Sequence, residues 1–483
     1  MFSYRAIMII RNDLMKFNTF IHDVRILKAL DAMGFHELTS VQQNTIPVLL
    51  DNKDCIVQSK TGSGKTAAYA LPILEKIIID QKEPQALILA PTRELVLQIQ
   101  ETFDHLGVYK KIKTVAVFGK QPFAFQKEDL SQRCHVIIAT PGRLLEHLKE
   151  HTFDSTKIQY LILDEADEML GLNFYQDILQ IIEYLSDSRI NCLLSATIND
   201  SIESLSKDIL NDPIWIINND QADQIDQSFY YTKMEDKVSY LLHLLVKEKP
   251  ESCIVFANTR QMVDEIYEQL QSRQISVNKI HGGMLQEDRL RQMNAFKQGE
   301  FRILVSTDVA ARGIDIQKVD LIINYEVPNT FWIYIHRIGR SGRMKNKGKA
   351  ITLVSDQEKE KYLEIINKLN LPEDLKTIEL QNDYDLSCLS KPERQLEDKT
   401  KKLRKDITKL YINAGKSKKI RAKDLVGAIM SIDEIEFDDI GIIQIQEHQS
   451  YVDILNGKGK IVLEVLQNKK IKNKSVRVEV ANH

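Results

Sequence analysis

Short uninterrupted apolar runs recur along the chain, separated by stretches whose apolar residues repeat every three or four positions. Cys55-Ile56-Val57-Gln58, Ala86-Leu87-Ile88-Leu89-Ala90, Val136-Ile137-Ile138-Ala139, Tyr160-Leu161-Ile162-Leu163 and Cys192-Leu193-Leu194-Ser195 are the first such runs. A run without polar alternation predicts a strand buried on both faces, and the helical period between runs predicts the helices that cover it. The result is a βα repeat, which implies a parallel sheet flanked by helices. The pattern breaks at Asn211-Asp212-Pro213 and through the polar stretch from Asn218 to Gln227. It restarts at Ser252-Cys253-Ile254-Val255-Phe256 and continues through Arg302 to Ser306, Leu321 to Asn324 and Ala350 to Val354, predicting a second α/β domain that ends near residue 370. From Lys409 to Val480 the order changes to β-α-β-β-α-β, with strands expected at Lys409 to Ala414, Ile440 to Gln446, Tyr451 to Leu455 and Val476 to Val480.

Composition adds little to the body and more to the tail. The 483 residues are 43% hydrophobic and 28% charged, ordinary for a multidomain globular chain. The net charge is −3, but residues 391–483 carry 20 Lys/Arg against 14 Asp/Glu, a net of +6, leaving −9 on the rest. A basic tail on an acidic body predicts an appended piece that binds a polyanion. Five widely spaced cysteines (Cys55, Cys134, Cys192, Cys253, Cys388) form no CxxC or Cys/His metal pattern, and reduced thiols in a cytoplasmic protein are expected. No apolar run approaches the ~18 residues of a membrane span. The periodic sequence begins near Met15, so residues 1–14 are expected to be an upstream extension.

Lys60-Thr61-Gly62-Ser63-Gly64-Lys65-Thr66 follows the first strand and opens a helix. Glycines there let backbone N–H groups wrap phosphates, and the helix N-terminus adds positive potential. Lys65 is placed to reach the β/γ-phosphates and the Thr66 hydroxyl to ligate Mg²⁺. The general phosphate-loop pattern wants Gly or Ala six residues before the Lys; Ser59 stands there. Asp164-Glu165 closes the strand Tyr160 to Leu163, at the strand end where open α/β sheets place ligands. Asp164 fits a carboxylate holding Mg²⁺ through water, and Glu165 a base that orients and deprotonates the attacking water.

With Ala166 and Asp167 completing the tetrad, residues 17–345 resemble a DEAD-box RNA helicase core, its motifs in order. Gly34-Phe35 through Gln42 resembles the adenine-recognising Q motif, with Phe17 as the stacking aromatic. Pro91-Thr92-Arg93-Glu94-Leu95, Thr140-Pro141-Gly142-Arg143, Ser195-Ala196-Thr197, Gln286 to Arg289, Ser306-Thr307-Asp308, Ala311-Arg312-Gly313-Ile314-Asp315 and His336 to Arg343 also match. The resemblance implies two tandem RecA-like parallel-sheet domains followed by a small RRM-like α+β domain. Expected limits are 1–16 for the extension, 17–215 and 216–370 for the two domains, 371–405 for a linker and 406–483 for the RRM-like domain. It also implies ATP and Mg²⁺ as cofactors. ATP would be held by Phe17, Gln42, Thr61, Gly62, Ser63, Gly64, Lys65, Thr66 and Asp315, with Arg340 and Arg343 as arginine fingers. Asp167, Ser195, Thr197 and His336 would couple hydrolysis to strand separation. RNA would be held through phosphates and 2′-hydroxyls by Thr92, Arg93, Thr140, Arg143, Arg289 and Thr307. Two departures stand out: Gly119-Lys120 where the family has Gly-Gly, and Leu38 where Pro is usual.

In the tail, the expected RNP1 string is absent and Tyr411 and Tyr451 are the only strand aromatics, so the basic segment with Lys416, Lys418, Lys419 and Arg421 is the RNA candidate. Gly415 through Arg421, Asp424 through Ile429, Asp439-Ile440-Gly441 and Lys470 through Val478 resemble the C-terminal domain of the DbpA/YxiN subgroup. That resemblance implies RNA-stimulated ATP hydrolysis and duplex unwinding on a 23S rRNA hairpin in pre-50S particles, with no membrane and no DNA partner. The alternatives are a cold-shock or mRNA-turnover helicase with a non-specific basic tail, and an ATP-gated RNA clamp that does not unwind.

Overall fold

The computed structural model describes residues 15–59, 62–217, 225–308, 319–341, 348–380, 384–391, 403, 406–472 and 474–481. They form two compact units; the first and the C-terminal sheets belong to one, the second sheet to the other.

The first sheet comprises β1 (Cys55–Gln58), β2 (Ala86–Leu89), β3 (Thr114–Val117), β4 (Val136–Ala139), β5 (Tyr160–Leu163), β6 (Ile190–Ser195) and β7 (Ile214–Ile217). All pair in parallel in the order β3-β4-β2-β5-β6-β1-β7. The apolar runs are continuous because each strand feeds two cores. Ala86 and Ile88 of β2 and Tyr160 and Ile162 of β5 point to one helical layer; Leu87, Leu89, Leu161 and Leu163 point to the other. Burying each large apolar side chain contributes about 1.5–3 kcal/mol, so a polar residue at any of these positions is costly. Leu38, where the resemblance expected Pro, is 5% exposed in the first of these cores. β7 runs across the expected limit at 215.

The second sheet repeats the plan. β8 (Asp226–Tyr231), β9 (Cys253–Ala257), β10 (Val277–Ile280), β11 (Ile303–Thr307), β12 (Leu321–Asn324), β13 (Lys349–Val354) and β14 (Leu375–Lys376) run parallel in the order β10-β11-β9-β12-β13-β8-β14. The expected linker is therefore not all connector. Leu375–Lys376 pairs with β8, and Leu389 is buried with Tyr240 and Leu241 of the same unit. The main chain there supplies a hydrogen bond that the polar composition did not reveal: the Leu389 carbonyl accepts from Ser276 N at 2.9 Å.

The C-terminal sheet is antiparallel, β16 (Ile440–Ile445), β17 (Ser450–Ile454), β15 (Thr408–Ile412) and β18 (Val478–Val480) in that order. Helices Ala422–Met430 and Gly459–Asn468 cover the face of Leu410, Ile412, Val452 and Ile454. This module rests on the first. Leu403 and Leu455 bury into the first module's core, Tyr109 donates to Asp406, Lys111 lies over the Phe437 ring, and Lys416 pairs with Glu128 at 2.8 Å. No helix of the described residues is long and apolar enough to cross a membrane.

Candidate active site

The loop after β1 is tied down by its own side chains. Gly62 and Gly64 take φ of 87° and 90°, the left-handed region that favours glycine. A Cβ on Gly64 would also stand 2.6 Å from the Gln42 amide nitrogen. Ser59, the departure from the general pattern, donates its hydroxyl to Ser63 at 2.7 Å, bracing the loop from within. Lys65, at the first turn of helix Lys65–Lys76, donates to the Ser59 carbonyl at 2.9 Å. Thr39 and Gln42 cap helix Ser40–Leu50: Gln42 Oε1 accepts from Thr39 N at 2.9 Å while its Nε2 donates to the Gly64 carbonyl at 3.2 Å. Thr39 Oγ1 donates to the Ser63 carbonyl, so this cap and the phosphate loop are one hydrogen-bonded piece. Phe17 packs into the core at 5% exposure. Thr61, Asp315 and Arg343 lie outside the described residues.

Asp164 follows β5 and is 3% exposed. Its Oδ1 accepts the Glu165 N–H at 3.0 Å and its Oδ2 accepts the Tyr69 hydroxyl at 2.8 Å. Burial pushes its carboxyl above the usual range, while Lys65 and the Tyr69 donor pull it back. Glu165 adopts φ 50°, ψ 50°, a left-handed conformation uncommon for a residue with a side chain. Asp167 begins the adjacent helix; its Oδ2 accepts both Thr197 N at 3.1 Å and Thr197 Oγ1 at 2.7 Å. Ser195 Oγ donates to the Thr197 carbonyl, and the Ser195 carbonyl accepts Ser59 N at 3.1 Å. The Ser195-Thr197 turn is thus bonded to the acidic tetrad on one side and to the phosphate loop on the other. The oxygen donors Thr66 and Asp164 fit a hard cation such as Mg²⁺, which binds through few protein oxygens and keeps its waters.

The other first-domain candidates lie at the same strand ends, beyond β2 and β4. Thr92 caps helix Arg93–Gly107 by accepting Leu95 N at 3.3 Å, and Thr140 occupies the N-cap position of helix Pro141–Lys149 without a side-chain capping bond. Arg143 reaches back to the Gln121 carbonyl at 2.9 Å and to Gln126 Oε1 at 3.1 Å. These contacts hold the turn at Lys120, whose φ of 67° explains why glycine suits this position and why lysine there is strained. His147 is fully buried beside them. Its Nε2 faces Gln126 Oε1 at 3.1 Å and its ring stacks on Phe123 with centroids 4.1 Å apart. Burial, with Arg143 nearby, holds its pKa down to about 4. An unfolded His titrates near 6.5, so this group's contribution is complete above that pH and fades as pH falls toward 4. Between pH 7.5 and 5, urea unfolding is expected to show wild type losing about 2 kcal/mol more stability than His147→Gln does, a difference that isolates this group from Asp104 and His135. An equal pH slope in the variant refutes it.

In the second unit, Thr307 ends β11 and Arg289 lies on helix Gln286–Lys297. His336 lies on helix Phe331–Ile338, and Arg340 follows it, donating to the His336 carbonyl at 3.4 Å. Two residues with structural weight had no role assigned from sequence. Tyr69 binds Asp164, and its signal was its spacing, three residues after Thr66. Arg337 is 2% exposed and donates to Asp308 and Asn258 at 2.8 and 2.7 Å. In the C-terminal module the four basic candidates cluster around Gly415, where a Cβ would meet the Gln446 carbonyl at 2.1 Å. Lys418 donates to the Asn413 carbonyl, and Lys419 takes φ of 57°. Tyr411 and Tyr451 are cross-strand partners 5.7 Å apart.

Comparison with known proteins agrees with this geometry. Residues 39–205 match the DEAD/DEAH box helicase family, 236–345 the helicase conserved C-terminal domain and 409–480 the DbpA RNA binding domain. The ATP-dependent RNA helicase DbpA of Bacillus subtilis (strain 168) is 44% identical, across 95% of this chain and 98% of its own. The Escherichia coli (strain K12) protein of the same name is 35% identical, across 94% and 96%. A solved structure of S. cerevisiae Dbp5 bound to RNA and ADP BeF3 is 29% identical with a TM-score of 0.67, covering 75% of this chain and 95% of that one. With the strand-end acidic tetrad linked to the phosphate loop through the Ser195–Thr197 turn, these matches place the chain in the DEAD-box family: it is an ATP-dependent RNA helicase of the DbpA type.

Proposed function

We propose that this helicase acts in the cytoplasm on a hairpin of 23S rRNA within pre-50S particles, hydrolysing ATP with Mg²⁺ to open a neighbouring duplex. The observation that carries this reading is the C-terminal module's resemblance to the DbpA RNA binding domain over 409–480. Its basic turn, built from Lys416, Lys418, Lys419 and Arg421 around a glycine that admits no side chain, would grip the hairpin phosphates. Mg²⁺ would be held by Thr66 directly and by Asp164 through water, where it supplies charge neutralisation to the phosphates. Lys65 binds the phosphates in place of the Ser59 carbonyl. Glu165 takes the proton from the attacking water, Arg340 and Arg343 counter the phosphoryl charge, and Asp315 holds the ribose. Gln42 and Phe17 select adenine. The Asp167–Thr197–Ser195 bonds, with His336, carry the nucleotide state to the RNA residues Thr92, Arg93, Thr140, Arg143, Arg289 and Thr307.

ATPase stimulation by 23S rRNA fragments, compared with unrelated RNA of equal length, tests the substrate. The hairpin-bearing fragment is expected to half-saturate at a concentration about tenfold lower or better, because its recognition depends on shape as well as charge. Equal stimulation by both RNAs would mean a general helicase with a non-specific tail. ATP-dependent binding without strand release in a duplex assay would mean a clamp.

A further inference from the structure

Tyr69 lies one turn into the helix that the phosphate loop opens, three residues after Thr66 and so on the same helical face. It is fully buried. Its ring packs near Phe103, at 6.2 Å between centroids, a contact that a phenylalanine would make equally well. The hydroxyl does something that packing does not require: it donates to Asp164 Oδ2 at 2.8 Å. Thr66 and Asp164 are the two groups assigned to the cation. Thr66 lies on the same helical face as Tyr69, so this hydroxyl ties the strand-end carboxylate to the helix turn that carries Thr66. Tyr69 keeps its proton and shares it with Asp164 as a hydrogen-bond donor. The other oxygen of Asp164 is held by the Glu165 N–H, so both torsions of the carboxylate are fixed before any metal arrives. The remaining acceptor directions are free for metal-bound water.

We propose that Tyr69 is a positioning residue for Mg²⁺, its hydroxyl tying Asp164 to the helix turn that carries Thr66 so that both present their oxygens to the ion in a fixed geometry. This rests on the cation site proposed above. The test is Tyr69→Phe in the full chain, using a fluorescent ADP analogue titrated with Mg²⁺ and, separately, with EDTA present. Affinity without metal is expected to be unchanged. The Mg²⁺ concentration that half-saturates the metal-dependent tightening is expected to rise about tenfold, the typical effect of one hydrogen bond to a charged group. ATPase activity should recover toward the wild-type kcat as Mg²⁺ is raised. An unchanged Mg²⁺ half-saturation overturns the proposal, as does a loss of kcat that excess Mg²⁺ leaves in place. Asp164→Asn separates the two levels. If that variant also leaves metal-dependent binding untouched, the cation site itself is misassigned; if it abolishes it while Tyr69→Phe does nothing, only the role of Tyr69 falls.

Discussion

Replacing Glu165 with Gln is expected to lower RNA-stimulated ATP turnover by about 10²–10⁴-fold, the usual contribution of a positioned general base. The substitution keeps shape and hydrogen-bonding capacity and removes only the basic oxygen. Binding of ATP and RNA should persist, because the loop bonds among Ser59, Ser63, Gly64, Gln42 and Lys65 do not involve Glu165. The backbone at Glu165 is left-handed. Glu165 is 9% exposed and follows Asp164 directly. Single-turnover hydrolysis with saturating RNA measures the effect. Near-wild-type turnover in Glu165→Gln would end the claim that this tetrad holds the catalytic base.

Arg337→Met is expected to destabilise the second unit by about 3–5 kcal/mol, the range for removing one partner of a buried ion pair. The guanidinium is 2% exposed and pairs with Asp308 through Nε and Nη2. It also donates to Asn258 Oδ1, to Asn324 Oδ1 and to the Glu326 carbonyl, and it lies 5.2 Å from the centre of the Phe256 ring. One side chain therefore joins the ends of three strands to the helix that carries His336. Methionine fills much of the volume and leaves Asp308 and Asn258 facing an apolar side chain. Lysine would restore charge but not the planar fork, and should rescue less than half of the loss. Chemical unfolding followed by probes in the second unit decides it. A midpoint shift under 1 kcal/mol in Arg337→Met would show that water or neighbouring groups replace the network.

The central strands were legible because they are buried on both faces, which leaves no polar interruption to hide them. Edge strands were not. Val277–Ile280 is fully buried only at its last residue, and Val277-Asn278-Lys279-Ile280 carries polar residues at its centre. Leu375–Lys376 is two residues long and was read as linker for the same reason. At the site, the glycines, Lys65 and the acidic tetrad were readable because phosphate binding restricts residue type at fixed spacing. Tyr69 and Arg337 act through partners 95 and 29 residues away; spacing from Thr66 marked the face of Tyr69 but not its partner, and nothing local marked Arg337. Ser59 departs from the general phosphate-loop pattern, and its hydroxyl bond to Ser63 makes it a brace. Lys120 shows the reverse, a departure whose backbone strain stays visible.

The ion pair between Lys416 and Glu128 has a consequence for how RNA binding responds to ionic strength. Both side chains are partly exposed, at 43% and 34%, so added salt loosens the pair. An RNA phosphate that takes the Lys416 ammonium releases its condensed counterions, but a carboxylate is uncovered in the same step and gathers cations of its own. The two exchanges oppose each other. The slope of log affinity against log salt for the full chain therefore understates the phosphates contacted, by up to about one contact of the ~0.7–0.9 that each single-stranded or duplex phosphate contributes.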